Sequence, residues 1–348
     1  MTKKIKISTS ASQLQEGLFG QVFLWVFEIL PYLDQQDIRP EWAIRSALYG
    51  RPDDFLVIPG LLELNYEPAT GPAREVNLET AHEDYKTTLG NDWDYISALW
   101  RKFFRVPERI VRRADEFPAL DGALGLHYRG TDKNKATIET NPVSQDDFLA
   151  LVRDFIASHP AIDLIFIATD ENEFVEKVRA QHPAIRVVNS GKVTHHKDLE
   201  QEDNFAKGEH ALLDCLLLSR CKYLLKCQSA LSAFAKILNP RVEAYRLSAN
   251  KLVYWNMGAP YFPDGQLPQY TSQDAGCQKI LARLFEGDWT QNFVAAKKYG
   301  KPFQYKKRKG YMRRAKSANY WSFPLWSWDG IHWRIDLRID ALRNRIGI

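Results

Sequence analysis

LIFIATDENEFVEKVRAQ, residues 164–181, joins a short apolar run to a helical stretch through a polar turn. Leu164–Ala168 reads as a buried strand, and Glu171–Gln181 reads as a helix. The same rhythm extends outward. Upstream, Ala123–Tyr128 is an apolar strand and Ser144–Ser158 a helix with Ser144 as its N-cap. Downstream come strand Ile185–Val188, helix Glu209–Arg220, strand Tyr223–Lys226, helix Ser229–Leu238 and strand Val242–Arg246. Short β-branched runs alternating with helices imply a parallel sheet covered on both faces. In such sheets ligands bind at the carboxyl ends of the strands.

Before this region the pattern is looser. KIKIS opens as a strand, and an apolar helix is expected near Leu14–Leu33. Gln21, Glu28 and Pro31 interrupt that stretch, so it reads as a core helix rather than a membrane span. Residues 53–66 suggest a buried strand and a loop, 67–91 a polar surface excursion, and Asp94–Ala114 a single helix. Pro118 and Asp121-Gly122 mark a boundary. The expected domains are therefore 1–118, 119–260, and a C-terminal part over 261–348.

Composition is that of an ordinary soluble chain: 348 residues, 45% hydrophobic and 26% charged. No signal peptide is expected from MTKKIKISTS. Cys215, Cys221, Cys227 and Cys277 fit no zinc spacing or disulfide framework and read as buried thiols of a cytosolic protein. Charge is unevenly divided. Residues 297–348 carry 14 Lys and Arg against 3 Asp and Glu, so against +4 for the whole chain the remainder stands at −7. Ten of those cations lie between Lys297 and Lys316, and Trp321, Trp326, Trp328 and Trp333 follow. Ile331, Ile335, Ile339, Leu342 and Ile346 then form one helical face, a pattern that suits a basic helical tail lying on an anionic membrane surface. The structural alternative is a helix packed back on the body of the protein.

The strand ends carry the chemistry. The first closes in LHYRGTDK, which places His127, Arg129, Asp132 and Lys133 together. Arg129 can grip a phosphate with its planar fork, Lys133 adds a second charge, and Asp132 can hold either cation. An ion-pair cluster at a strand end explains the same residues without a ligand. The second closes in ATDENE, where Asp170 is either functional or the cap of the next helix. The fourth closes in KCQSALS, bringing Gln228, Ser229 and Ser232 to a helix N-terminus, a ready anion site. Asp92-Trp-Asp94 has the DxD spelling of metal-dependent transferases but opens a helix, so it reads as a cap and no metal is expected.

HYRGTDK resembles the HxRxxDK motif of the GDP-fucose α1,6-fucosyltransferases, including the nodulation-factor enzymes and the related protein O-fucosyltransferases. IFIATDENEFVEKVRAQHP and ALLDCLLLSRCKYLLKCQSALSAFAKIL look like that family's next two motifs, in order, and the likeness covers residues 121–247. The resemblance implies a GT-B fold, two facing Rossmann-like domains with the donor on the C-terminal one. It implies metal-independent, inverting transfer of fucose or a similar sugar from a GDP-sugar to a glycan acceptor. Carried over, Arg129 holds the β-phosphate, His127 and Asp214 contact guanine, Ser229 contacts the diphosphate with Ser232 beside it, and Asp170 buttresses Arg129 or its turn. In that third motif an Asp opens a helix, the place given to Asp214. Two positions depart. The second Arg of the α1,6 enzymes is here Gly130, and the Glu four residues after the Lys, their base, is here Thr137. Glu139, two residues on, is the base expected in its place.

Two other classes compete. A nucleotide- or nucleic-acid-binding protein without catalysis is suggested by the basic aromatic tail, although no nucleic-acid motif accompanies it. A GT-B transferase using another nucleotide shares the fold. The protein is expected to be cytoplasmic, and peripheral to the inner face of a membrane if the tail lies on lipid.

Overall fold

The computed structural model describes residues 4–10, 14, 17–68, 71–85, 87, 92–130, 141–191, 204–250 and 267–288. Two α/β layers result. In the first, β1 (Ile5–Ser8) pairs in parallel with β2 (Glu41–Arg45) and with β5 (Arg74–Asn77), while β3 (Leu56–Ile58) joins β2 antiparallel, giving the order β3-β2-β1-β5. A π-helical turn, Leu18–Phe23, runs into α1 (Leu24–Gln35), which is apolar nearly all round and buried. Its one interior acid, Glu28, is fully buried and pairs with His82 of α2 (Leu78–Tyr85), whose ring stacks on Trp25 at 4.8 Å. Among the described residues no helix is long and apolar enough to cross a membrane.

Three expectations for this half need correction. The stretch 67–91 is not only a surface excursion, because it contains β5 and α2. The strand faces inward only through Val76, so its sequence reads as polar. Glu41–Arg45 is a strand to which the sequence pattern assigned no element. The helix expected over Asp94–Ala114 is two helices. α3 (Trp93–Phe103) ends where Phe104 turns extended, Phe104–Arg105 forms the short β6 against β4 (Glu63–Leu64), and α4 (Glu108–Asp115) starts after Pro107. Pro107 lacks an N–H and disfavours helical backbone at Val106, so the helix must stop and restart.

The second layer follows its expected rhythm. Its strands are β7 (Leu124–Tyr128), β8 (Leu164–Thr169), β9 (Arg186–Asn189), β10 (Tyr223–Lys226) and β11 (Glu243–Arg246), all parallel, in the order β11-β10-β7-β8-β9. Between them lie α5 (Gln145–Ser158), α6 (Asn172–Gln181), α7 (Asn204–Arg220) and α8 (Ala230–Leu238), and α9 (Ala275–Leu284) follows β11. α7 begins five residues before the expected Glu209, so Asp214 lies in its interior and not at its opening. The chain leaves the central β7 towards β8 and β9, then returns to build β10 and β11 on the other side. In sheets of this kind such a reversal sets the usual ligand crevice between the carboxyl ends of the two strands that flank it, here β7 and β10.

The two layers share a core. Phe234 of α8 packs its ring against Phe19, Phe23 and Phe27 from the first layer and against Trp100 of α3, with ring centroids 5.7–6.2 Å apart. A second apolar cluster fills the opposite face of the five-stranded sheet, around Phe148, Phe155 and Phe174. The four cysteines are free thiols and all are buried.

Candidate functional site

His127 is the fourth residue of β7 and is buried. Its Nδ1 shares a 2.7 Å hydrogen bond with Ser232 Oγ of α8, which ties the two sides of the crevice together. Burial holds this imidazole well below its ordinary pKa, and the neighbouring charges of Lys226 and Arg129 push the same way. His127 is therefore neutral near pH 7 and suits hydrogen bonding rather than charge pairing.

Arg129 lies one residue beyond β7, half-buried at the sheet's carboxyl edge. The turn that presents it is pinned twice. Gly130 N donates to Asp170 Oδ1 at 3.1 Å, and Cys227 N donates to the His127 carbonyl at 3.0 Å. Asp170 thus supports the turn after Arg129 and does not cap α6. The cap position there is Glu171, without a side-chain cap bond.

Gly130 has its own reason. A Cβ at this position would fall 2.1 Å from Glu171 Oε1. Glu171 is held there by Gln145, whose Nε2 donates to it at 2.5 Å while its Oε1 accepts from Lys177 at 2.6 Å. A side chain at residue 130 would therefore have to shift the Glu171 carboxylate that Gln145 holds.

Across the crevice, Ser229 is the N-cap of α8 in extended conformation, and its side chain makes no cap bond. The first N–H groups of α8 are therefore left without a side-chain acceptor from the cap residue. Lys226, at the end of β10, sits in register with His127 on one side and Arg246 on the other, fully buried. Burial drives its pKa well below the ordinary lysine value, and Arg246 adds to the depression.

Asp214 sits farther along, where α7 passes the end of β9. The residue is partly exposed, but its Oδ1 is sealed from solvent with no hydrogen-bond partner among the described residues. Burial raises its pKa to about 7, against the opposing pull of a hydrogen bond from Ser190 and the charge of Arg113.

The structure thus brings His127, Arg129, Asp170, Ser229 and Ser232 to adjoining strand ends, with Asp214 beside the next strand. Asp132, Lys133 and Glu139 lie outside the described residues, as does the basic tail over 297–348. Asp92 caps α3 by accepting from Tyr95 N at 3.0 Å, as its place before the helix suggested. Lys226, Glu171 and Gln145 belong to the site without having been singled out. A lysine closing an apolar strand was the one available signal; nothing in the sequence joins Gln145 to Glu171, 26 residues apart.

No protein-family model matches the chain, and no curated protein matches it in sequence. Solved structures do resemble it. The fucosyltransferase NodZ from Bradyrhizobium is 15% identical over 69% of this chain and 95% of its own, with a TM-score of 0.41. POFUT1 in complex with GDP is 11% identical over 70% and 98%, with a TM-score of 0.42. Arabidopsis thaliana FUT1 in complex with GDP is 10% identical over 71% of each chain, with a TM-score of 0.41.

Proposed function

We propose that this chain is a glycosyltransferase that moves fucose, or a similar sugar, from a GDP-sugar to a glycan hydroxyl with inversion and without a metal. One observation carries the proposal. Arg129 stands at the switch point of a parallel sheet, on a turn braced by Asp170, opposite the α8 N-terminus to which His127 is tied through Ser232. A leaving diphosphate needs positive charge or N–H donors where its own charge develops, and this crevice supplies both. The resemblance of residues 121–247 to the fucosyltransferase motifs supports a GDP-sugar among nucleotide donors.

On this reading Arg129 and Lys133 hold the β-phosphate, Asp132 steadies them, and Ser229 and the α8 N–H groups take the remaining oxygens. His127 and Asp214 meet the guanosine. The acceptor oxygen bonds to C1 of the sugar as the C1–phosphate oxygen bond breaks. The electron pair leaves with GDP, and the acceptor proton passes to a carboxylate, assigned by sequence position to Glu139.

The test is a thermal-shift panel of GDP, UDP, ADP, CMP and single-stranded RNA, each with and without EDTA. GDP alone should stabilise the protein, and EDTA should leave that shift unchanged. A shift with RNA alone would move the protein to the non-catalytic class. A shift with UDP alone would keep the fold but change the donor, and a GDP shift abolished by EDTA would remove the metal-free mechanism.

A further inference from the structure

Ser229 caps α8 without a side-chain bond, so the shape of the Gln228–Ser229 turn must be set from outside the helix. The outside restraint is visible. Gln228 Nε2 donates to Asn250 Oδ1 at 2.9 Å, and both residues are buried. The Asn250 backbone N donates in turn to Asp288 Oδ1 at 3.3 Å. Asp288 is gripped by both ends of the Arg246 fork, at 3.2 and 2.9 Å, while Arg246 Nε donates to the Leu267 carbonyl at 2.8 Å. One turn of the crevice is thereby fastened through a chain of buried polar groups to residues up to 60 positions away in sequence.

Stability alone is a poor reason for such a chain. A buried ion pair of this kind is often replaced by apolar side chains with no loss of stability, because desolvation offsets the attraction. What apolar packing cannot do is hold a polar turn in one geometry, and hydrogen-bond donors to a diphosphate lose their effect when displaced by fractions of an ångström.

We propose that Asn250 is a positioning residue for donor binding. Through Gln228 it fixes the Gln228–Ser229 turn beneath the diphosphate, and the Arg246–Asp288 pair anchors it. This rests on the donor site proposed above.

The experiment is a double-mutant cycle on GDP affinity by calorimetry, with Asn250→Ala, Gln228→Ala and the double variant. Each single change should weaken GDP binding about tenfold, roughly the effect of one misplaced hydrogen bond to a charged group. The double variant should be little worse than either, because both cut the same link. Tyr270→Phe is the control. It removes the 2.5 Å bond to Asp154 elsewhere in the same layer, and should lower the melting temperature without moving GDP affinity. If Asn250→Ala and Gln228→Ala lower the melting temperature but keep GDP affinity within twofold, the network is structural and the proposal fails. Fully additive losses would also overturn it. If the unmutated chain does not bind GDP, the donor site itself is wrong and this inference goes with it.

Discussion

Asp214 shows how one side chain ties the site to pH. Its carboxyl is raised to about 7 by burial. Unliganded, the protein gains stability from this group at pH values below the usual carboxylate range, and loses that contribution as pH rises towards about 7. On the proposed donor reading, in which Asp214 meets the base, guanine N–H groups reverse the preference, because only the carboxylate accepts from both of them. GDP affinity should therefore be level above about pH 7 and fall below it, by at most about tenfold per pH unit. Asp214→Asn should flatten that profile. Calorimetry across pH 5.5–8.5 checks both, and an unchanged slope in the variant would take Asp214 out of the base subsite.

At the scale of elements, legibility depended on how each one is covered. The strands of the second layer have helices on both faces, so LIFIA and ALGL stand out as unbroken apolar runs. The first layer hid two of its strands. β2 begins with the exposed Glu41, and β5 turns only Val76 inward, so neither presents a run long enough to recognise. The helix break at Pro107 was legible in principle, since proline disfavours helix at the residue before it, but the aromatic spacing of Trp100, Phe103 and Phe104 spoke for continuity. The site divided similarly. His127, Arg129, Asp170 and Ser229 sit at strand ends that sequence can place, whereas Asn250 and Asp288 reach the site through tertiary contacts with no local pattern. Phe234 is another such case, an ordinary apolar helix residue in sequence that proves to be the ring joining the two layers. Phe234→Ala should cost about 3–5 kcal/mol in urea denaturation. A loss below about 1 kcal/mol would mean the aromatic joint does not hold the layers together.

For the whole molecule, the arrangement is economical in one respect. A single reversal of strand order creates the crevice, and three neighbouring strand ends then contribute to it: His127 and Arg129 from β7, Asp170 from β8, and Ser229 from the turn after β10. Most of the surrounding polar groups brace others. Asp170 holds the Arg129 turn, Ser232 holds His127, and Asn250 holds Gln228. Arg129 is the described residue that the proposed donor site sets against the β-phosphate, with Lys133 as its partner. The most direct measurement is therefore turnover of GDP-fucose by Arg129→Ala, followed as GDP release with and without acceptor, alongside the melting temperature. Loss of at least about 100-fold in rate, with the melting temperature within a degree or two of the unmutated protein, is the expected result. Turnover at the unmutated rate would contradict the assignment of this crevice as the donor site.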